Sequence, residues 1–334
     1  MIGYYVHHHG AGHLSRARAI ADHLGGEVTG ISTAARPPQW PGDWLQLADD
    51  APVGAVGDDP TARGALHWVP LRHAGLRSRM ATLAQWLDAA RPRAVVVDVS
   101  VEVALSCRLH GVPVAIVLQP GDRTDPAHDL AYQVADRLVA PWPPGLHPWR
   151  SSVDADDPRL RHVGAISRHD GRDPAVVPHD RTARHVVVLN GAGGDPLLDA
   201  DDLALARRAT PAWRWTVLGG PGGRWQDDPW PIVCSANVVV THGGQNAVAE
   251  VAAARRPAVV VARDRPHDEQ HHLVHALQAD DRWPVLALEQ PPGPEGWADL
   301  LERQAACDGR AWHTFNDSLG AGRVAELARE EAWT

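Results

Sequence analysis

The chain has 334 residues, more than one hydrophobic core comfortably accommodates, so two domains are expected. Hydrophobic residues make up 44% and charged residues 22%, as in ordinary soluble proteins, and no apolar run approaches the roughly 18 residues of a membrane helix. The net charge of −9 argues against a nucleic-acid-binding protein, which would normally carry a basic field.

The cysteines, the N-terminus and the arginine content indicate the cellular location and the type of genome. The three cysteines, Cys107, Cys234 and Cys307, are widely separated and lack metal-binding spacing, which fits a reducing cytosol. The N-terminus has no basic region followed by an apolar stretch, so no signal peptide is predicted and the expected location is cytoplasmic. All 32 basic residues are arginine, which indicates a GC-rich, actinobacterial type of genome. The 14 tryptophans are therefore not interpreted as a special aromatic surface.

The chain begins with a predicted strand, a glycine turn and a helix. Residues 2–7 form the strand, Gly10 and Gly12 the turn, and apolar residues then recur at helical spacing up to Leu24. His13 begins this helix, where the dipole disfavours added positive charge and keeps the imidazole able to accept a proton. Because a glycine turn at the carboxyl end of a strand faces a cleft, His13 is a candidate general base. The alternative is a capping or packing role, and at most two of the histidines at positions 7–9 can face the cleft.

Asp98 ends the next buried run, residues 94–98, and so also stands at the carboxyl end of a strand, where α/β enzymes place their chemistry. A carboxylate there could accept a hydrogen bond from His13 and orient its ring. Taken alone, an aspartate at this position is more often a helix cap.

After further short apolar runs at residues 113–118 and 137–140, the chain becomes proline-rich and acidic. We interpret residues 151–182 as a linker between an N-terminal domain, 1–150, and a C-terminal domain, 183–310. The second half repeats the opening of the first, with a strand at 185–189 followed by a glycine loop at 190–194. Strand-like runs at 215–218, 231–233 and 237–241 continue it. This alternation predicts an α/β protein with two Rossmann-like domains facing across a cleft.

The most informative stretch is residues 237–270, in which a β-branched strand ends in Thr-His-Gly-Gly and a helical pattern begins at Gln245. Gly243 and Gly244 allow close approach of a ligand to the backbone, and the helix N-terminus suits a phosphate. Glu250 shares a helix face with Asn246 and could hold a ribose diol beside a pyrophosphate. An ordinary βαβ unit with a glycine-rich loop is the alternative. The loop, the glutamate and the terminal Asp-Glu-Gln together favour the nucleotide site.

These features resemble the GT-B glycosyltransferases, the class of two Rossmann-like domains that includes UDP-glycosyltransferases and the peptidoglycan-precursor N-acetylglucosaminyltransferase. The resemblance is strongest over residues 241–270 and moderate over 10–17 and 95–113. Residues 162–166 resemble the segment that closes the N-terminal domain, and 320–325 resemble the last helix, which in the family crosses back to that domain. We therefore expect residues 311–334 to form this crossing segment.

The resemblance also implies roles for individual residues. His13 would be the base that deprotonates a hydroxyl acceptor, with Asp98 behind it. The nucleotide-diphosphate donor, expected to be a UDP-sugar, would be bound by Gly12, Gly191, Gly193, Gly194, His242, Gly243, Gly244, Gln245, Asn246 and Glu250. The donor sugar would contact Asp268, Glu269 and Gln270. Two departures weaken the expected sugar contacts: Ala247 stands where many members have serine or threonine, and Glu269 is inserted into the usual aspartate-glutamine pair.

The expected reaction is an inverting transfer of a hexosyl or N-acetylhexosaminyl group without a metal or other cofactor. His267 and His271 are four residues apart and could share a helix face, but His-Asp-Glu-Gln-His is not a zincin motif. Two other functions stay open. GAGHLSRA, with an arginine after the histidine, also resembles the nucleotide-sugar hydrolase of pseudaminic acid synthesis, and a non-catalytic nucleotide-sugar sensor is the second. The sequence leaves three kinds of acceptor open: a natural product, a lipid-linked precursor met at a membrane surface, or a small metabolite. The oligomeric state also stays open.

Overall fold

A computed structural model of the chain describes residues 1–8, 10–51, 59–176, 179–180, 182–191, 196–220, 223–330 and 333. Within these residues the protein consists of two α/β halves, each built on a parallel sheet, as the alternation in the sequence predicts. No helix in the described part of the chain combines the length and the apolar character required to span a bilayer.

The N-terminal half contains a seven-stranded parallel sheet in the order β3-β2-β1-β4-β5-β7-β9. Its strands are β1 Ile2–Val6, β2 Val28–Ser32, β3 Asp43–Gln46, β4 Ala94–Asp98, β5 Val114–Val117, β7 Arg137–Ala140 and β9 Leu160–His162. A separate two-stranded sheet pairs β6 Gly121–Arg123 with β8 Trp149–Ser151. The helices of this half are α1 Ala11–Leu24, α2 Ala74–Ala90, α3 Val101–Leu109 and α4 Pro126–Val134.

The C-terminal half contains a five-stranded parallel sheet in the order β11-β10-β12-β13-β14. Its strands are β10 His185–Leu189, β11 Arg214–Leu218, β12 Val238–His242, β13 Ala258–Val261 and β14 Val285–Leu288. Its helices are α5 Ala200–Ala209, α6 Trp230–Ser235, α7 Gln245–Ala253, α8 Glu269–Gln278 and α9 Gly296–Ala305. The central strands are buried along their length, which explains their unbroken runs of valine.

Two segments differ from the sequence interpretation. Residues 231–233 lie in α6 and not in a strand; the run is short, and Pro231 is compatible with the first turn of a helix. The N-terminal sheet also extends past residue 150, because β9 pairs in parallel with β7. The first part of the polar segment interpreted as a linker thus supplies the last strand of this sheet.

The chain returns to the N-terminal half at its end. The last helix, α10 Gly320–Arg329, buries Ala321, Val324 and Ala325 in the same apolar cluster as Ile20 of α1. Just before it, the N–H of Ala165 donates to the carbonyl of Phe315, and the Asn316 side-chain amide donates to the carbonyl of Ala165. The outgoing and returning crossings between the halves therefore lie side by side.

The two halves approach each other closely at two glycines of the N-terminal half. A Cβ on Gly12 would stand 2.2 Å from Nδ2 of Asn246, the second residue of α7. A Cβ on Gly121, whose φ is 107°, would stand 2.4 Å from the carbonyl oxygen of His267. A larger side chain at Gly121 would meet backbone and push the halves apart, whereas at Gly12 the Asn246 side chain would have to turn aside.

Candidate active site

A cavity of about 630 Å³ lies between the two halves, at the carboxyl ends of both sheets. The N-terminal half contributes the first turn of α1 together with Gln119 and Pro120. The C-terminal half contributes the β12–α7 loop, Glu250 and the start of α8. Most of the residues predicted from sequence to bind a donor or to act as base line this one cavity: Gly12, His13, Gly191, His242, Gly243, Gly244, Gln245, Asn246, Glu250, Glu269 and Gln270.

His13 and Asp98 form the predicted pair. Parallel pairing of β1 with β4 brings the carboxyl ends of both strands to one edge, where α1 begins and Asp98 ends its strand. His13 Nδ1 lies 2.9 Å from Asp98 Oδ1, and the carboxylate is fully buried while the imidazole is partly exposed. Because a carboxylate only accepts hydrogen bonds, Nδ1 of His13 carries the proton and donates it. The unprotonated Nε2 is then available to accept a proton, as a general base requires.

Arg16 completes this pair, and sequence reasoning gave it no catalytic role. Its Nη2 donates to Asp98 Oδ1 at 2.7 Å and its Nε donates to Oδ2 at 3.0 Å, while the whole side chain is 2% exposed. Burial acts to raise the pKa of Asp98, but Arg16 and His13 outweigh it and hold this pKa well below its usual range. Asp98 is therefore a fixed anion that accepts hydrogen bonds from both His13 and Arg16, and more weakly from the Tyr4 hydroxyl at 3.4 Å and Gln119 Nε2 at 3.5 Å. The sequence spacing could have indicated this role of Arg16, since it follows His13 by one helical turn on the same face.

Arg16 also reaches across the cleft. Its Nη1 donates to Oε1 of Gln245, the first residue of α7, at 2.7 Å. One guanidinium therefore touches both the carboxylate behind the candidate base and the helix that begins the candidate phosphate site. The two halves of the site are mechanically connected through this side chain.

The candidate phosphate site consists of the first turn of α7, as the sequence suggested, but without the Gly243 and Gly244 amides. The N–H of Gly243 donates to the carbonyl of Val261 at 2.9 Å, and that of Gly244 donates to His242 Nδ1 at 3.0 Å. Neither amide is therefore directed at a ligand. The first intrahelical bond of α7 runs from Val248 to Gly244, so the N–H groups of residues 245–247 have no intrahelical acceptor. Those three groups form the anion-binding end of the helix.

His242 adds a neutral donor beside them. Burial, together with the charges of Arg265 and Arg263, lowers the pKa of His242 to about 4, so its ring is neutral at pH 7. Since Nδ1 accepts from Gly244, the proton of the neutral ring is on Nε2. A Cβ on Gly244 would stand 2.4 Å from this ring, so only glycine allows the arrangement.

Glu250 lines the cavity, but it already has a partner in the chain between the halves. Arg168 Nε lies 2.9 Å from Oε1 of Glu250, and Arg168 Nη2 donates to Oε2 at 3.1 Å. Burial raises the pKa of Glu250, and Arg168 opposes this shift. Like Arg16, Arg168 and Arg265 line the cavity and were missed by sequence reasoning. Arg265 had a visible signal, since it closely precedes the Asp-Glu-Gln motif.

The three residues of the Asp-Glu-Gln motif have different surroundings in the structure. Gln270 is 2% exposed, lines the cavity, and has no hydrogen-bond partner for Oε1 among the described residues. Glu269 also lines the cavity and lies 3.6 Å from Arg123 of the N-terminal half, measured from Oε2 to Nη2. Asp268 is not among the described residues that line this cavity. Gly193 and Gly194 lie outside the described residues.

The remaining histidines occupy two other places. His7 and His8 stack with their ring centres 5.1 Å apart and line a second cavity of about 350 Å³ in the N-terminal half; His9 lies outside the described residues. His267 and His271 do not share a helix face as the spacing suggested, because α8 begins only at Glu269 and His267 has a φ of 60°. His271 contacts Glu289 and Asp264, whereas His267 points to the N-terminal half.

The fold and part of the sequence match known proteins. Residues 226–290 match the model of the glycosyltransferase family 28 C-terminal domain. Among solved structures, the glycotransferase of kitacinnamycin superimposes with a TM-score of 0.68 at 17% identity, covering 98% of this chain and 97% of that one. The calicheamicin glycosyltransferase CalG4 gives 0.63 at 17%, covering 98% and 96%. MurG of Acinetobacter baumannii gives 0.62 at 14%, covering 98% of each chain.

No curated protein sequence is similar enough to be matched. The similarity to solved structures extends over nearly the whole chain, and the family match covers β12, α7, β13 and α8, which supply the C-terminal side of the central cavity. Together these matches support a glycosyltransferase. The chain therefore has the GT-B glycosyltransferase fold, and residues 226–290 of its C-terminal half are similar to the glycosyltransferase family 28 C-terminal domain.

Proposed function

We propose that the protein transfers a sugar from a nucleotide-diphosphate donor, with UDP as the first candidate nucleotide, to a hydroxyl group of an acceptor. The observation that carries this proposal is the composition of the central cavity. His13, held by the buried Asp98, enters it from one half, and the N-terminus of α7 with Glu250 enters it from the other. The proposed base and the proposed diphosphate site thus face one cavity.

The proposed reaction is a single displacement with inversion. Nε2 of His13 takes the proton of the acceptor hydroxyl, whose oxygen forms a bond to the anomeric carbon of the donor sugar. The bond from that carbon to the diphosphate oxygen breaks, and the nucleotide diphosphate leaves with the electron pair. The N–H groups of residues 245–247, Nε2–H of His242 and Arg265 are placed to stabilise the departing negative charge, so no metal is needed at the phosphates.

The second cavity is the proposed acceptor site. It lies at the carboxyl edge of the N-terminal sheet and is lined by Trp68, Leu76, Met80 and Val103 together with polar groups. Its buried Arg79 is already satisfied, since it pairs with Asp50 and donates to the Tyr5 hydroxyl at 2.8 Å. A mainly apolar acceptor that carries a hydroxyl group fits these walls better than a highly charged one.

A nucleotide-sugar hydrolase is the second candidate function, and Arg16 is the observation that favours it. The arginine on which the resemblance to a hydrolase rested proves to be buried against Asp98, inside the catalytic pair. In a hydrolase, water would take the place of the acceptor hydroxyl and lose its proton to the same His13 Nε2.

A panel of UDP- and dTDP-sugars tests the proposal. The purified protein is incubated with each donor, with and without a pool of hydroxyl-bearing acceptors, and the free nucleotide, free sugar and glycosylated products are quantified. We expect slow release of sugar that acceptors suppress in favour of a glycosylated product. Fast, acceptor-independent release of equal amounts of nucleotide and sugar would establish the hydrolase. Binding with no turnover of any donor would contradict both enzymes and support a sensor.

The donor site has its own prediction. Replacing Glu250 with alanine should weaken UDP binding by about 1.5–3 kcal/mol, the range for hydrogen bonds to a charged group, because the ribose hydroxyls lose their acceptor. The fold should persist, since the partner of Glu250, Arg168, is 40% exposed and can turn to water. Titration calorimetry measures the change, and Glu302→Ala, an exposed glutamate of the same half, is the matched control. Equal UDP affinity of Glu250→Ala and the wild type would remove this residue from the site.

A further inference from the structure

A cluster of three histidines and one aspartate lies outside the central cavity, where the two halves meet. Asp125 is the N-cap of α4, and His128 stands in the first turn of that helix. His67 comes from the segment that precedes α2, and His267 comes from the 3₁₀ helix Pro266–Asp268 in the C-terminal half. Apart from Asp125 and His128, these residues are far apart in the sequence, and the fold brings them together.

The spacing of the ligand atoms fits one small cation. His67 Nε2 lies 3.2 Å from Asp125 Oδ1, and His128 Nδ1 lies 2.5 Å from Asp125 Oδ2. One nitrogen or oxygen from each of His67, Asp125 and His128 falls within 4.8 Å of the others. Ligand atoms held at roughly 2.0–2.1 Å around a tetrahedral zinc ion are about 3.3–3.5 Å apart. Small side-chain rotations therefore suffice to place all three atoms on one ion.

The ring positions extend this geometry to a fourth ligand. With Zn–N bonds of roughly 2.0–2.1 Å, two imidazoles on one tetrahedral ion have ring centres about 5 Å apart. The ring centre of His128 lies 4.4 Å from that of His67 and 5.1 Å from that of His267, and the two outer rings are 6.3 Å apart. The three rings are tilted or edge-on to one another and not stacked, and His267 lies beside the three residues whose ligand atoms are within 4.8 Å of one another.

A purely structural role for these groups accounts for only part of the cluster. The carboxylate of Asp125 caps α4 by accepting the N–H of His128 at 3.1 Å, which requires one oxygen and no second residue. It does not require His67, which is 58 positions away, or a histidine from the other half. A separate cavity of about 410 Å³, lined by His67, Asp122, Asp125 and His267, gives an ion a route to the cluster.

The local charge also suits a cation. Asp122 and Asp125 both line the access cavity. Two nearby arginines already have partners: Arg123 is paired with Glu269 at 3.6 Å and donates to the carbonyl of Pro120 at 2.9 Å, and Arg150 lies 3.5 Å from Asp122, measured from Nη1 to Oδ2. Carboxylate and imidazole together are the ligand set of zinc and related divalent transition metals.

We propose that His67, Asp125 and His128 bind one divalent transition-metal ion of the zinc type, with His267 of the C-terminal half as the fourth ligand. The ion connects the two halves beside the cleft. None of its four ligands lines the central cavity, and His67 alone among them also lines the proposed acceptor cavity. The existence of the ion site does not depend on the proposed function.

Zinc binding to the full chain tests the site without any activity measurement. The protein is stripped with a chelator and titrated with Zn²⁺ by calorimetry, and the bound metal is quantified after gel filtration. We expect one ion per chain. Since changes around a metal site that spare its ligands already lower metal affinity about 10–100-fold, His128→Ala and Asp125→Asn should each lower it by at least roughly 100-fold. Asparagine caps a helix nearly as well as aspartate, so Asp125→Asn keeps α4 intact.

His271→Ala is the matched control, because it removes another histidine flanked by two carboxylates, Glu289 and Asp264. It should leave the affinity unchanged, whereas His267→Ala should lower it about 10-fold or more and His67→Ala should behave as His128→Ala does. Circular dichroism verifies that each variant is folded. The proposal is overturned if no stoichiometric ion binds, if His128→Ala and Asp125→Asn bind zinc as the wild type does, or if His271→Ala alone loses it. Unchanged affinity in His267→Ala would exclude the fourth ligand.

Discussion

His13→Ala is expected to lower turnover by about 10²–10⁴-fold, the usual worth of general acid–base catalysis, while leaving UDP affinity nearly unchanged. Nε2 of His13 is the proton acceptor that the cavity offers next to a fixed carboxylate, and removing it leaves the acceptor hydroxyl protonated. The fold should survive, because Arg16 remains to pair with Asp98. The measurement is the initial rate of donor consumption with the donor identified from the panel, together with calorimetry of UDP binding.

A second histidine of the same helix gives the control for this test of the base. His23→Ala is the matched control, because His23 lies exposed in the last turn of the same helix. Wild-type turnover in His13→Ala would show that another group, or the acceptor itself, supplies the base.

Asp98→Asn is expected to destabilise the protein by about 3–5 kcal/mol, the cost of leaving a buried charge without its partner. Asp98 is fully buried and Arg16 is 2% exposed, so the guanidinium cannot turn to water when the carboxylate is lost. This effect is separate from the loss of His13 orientation, which should lower activity less than His13→Ala does. Chemical denaturation at neutral pH measures the free energy of unfolding.

Two controls assign this loss to the uncompensated charge. Arg16→Met added to Asp98→Asn removes the charge and should restore part of the stability, whereas independent effects would simply add. Because the folded-state pKa of Asp98 is lowered, its contribution is present above the unfolded pKa of about 3.9 and is lost as the pH falls below it. The difference between wild type and Asp98→Asn should therefore shrink below about pH 4. A constant difference would mean that the carboxylate charge is not the cause.

The sequence was sufficient to predict the two halves because their signals are local. Runs such as Val238–Val240 are buried on both faces of a parallel sheet and therefore read as uninterrupted apolar stretches. His13 and Asp98 were also predictable, since the ends of parallel strands meet at one edge whatever the intervening chain does. The segment 231–233 was misassigned for a related reason: a three-residue apolar run does not distinguish strand from helix.

The missing parts of the site depend on long-range placement. Arg168 reaches Glu250 from 82 positions away, and nothing in its own neighbourhood indicates that partner. The amides of Gly243 and Gly244 were assigned to phosphate because the loop is glycine-rich, but the sequence does not reveal that Val261 and His242 accept from them. The cluster around His128 was missed because three separate segments supply it, whereas metal motifs are recognised by short spacings.

The paired crossings near Ala165 and Phe315 have a mechanical consequence. The two crossing segments are hydrogen-bonded to each other, at 2.9 Å between the Ala165 nitrogen and the Phe315 oxygen. They therefore form a hinge that permits rotation about one axis and resists sliding or separation of the halves. Because α10 packs in the N-terminal core beyond that hinge, a polypeptide that ends before residue 316 loses both the second crossing and part of the packing around Ile20. The two halves are thus not independent domains joined by a single linker. An exchange of C-terminal halves between relatives of this fold would have to keep the last helix with the N-terminal half.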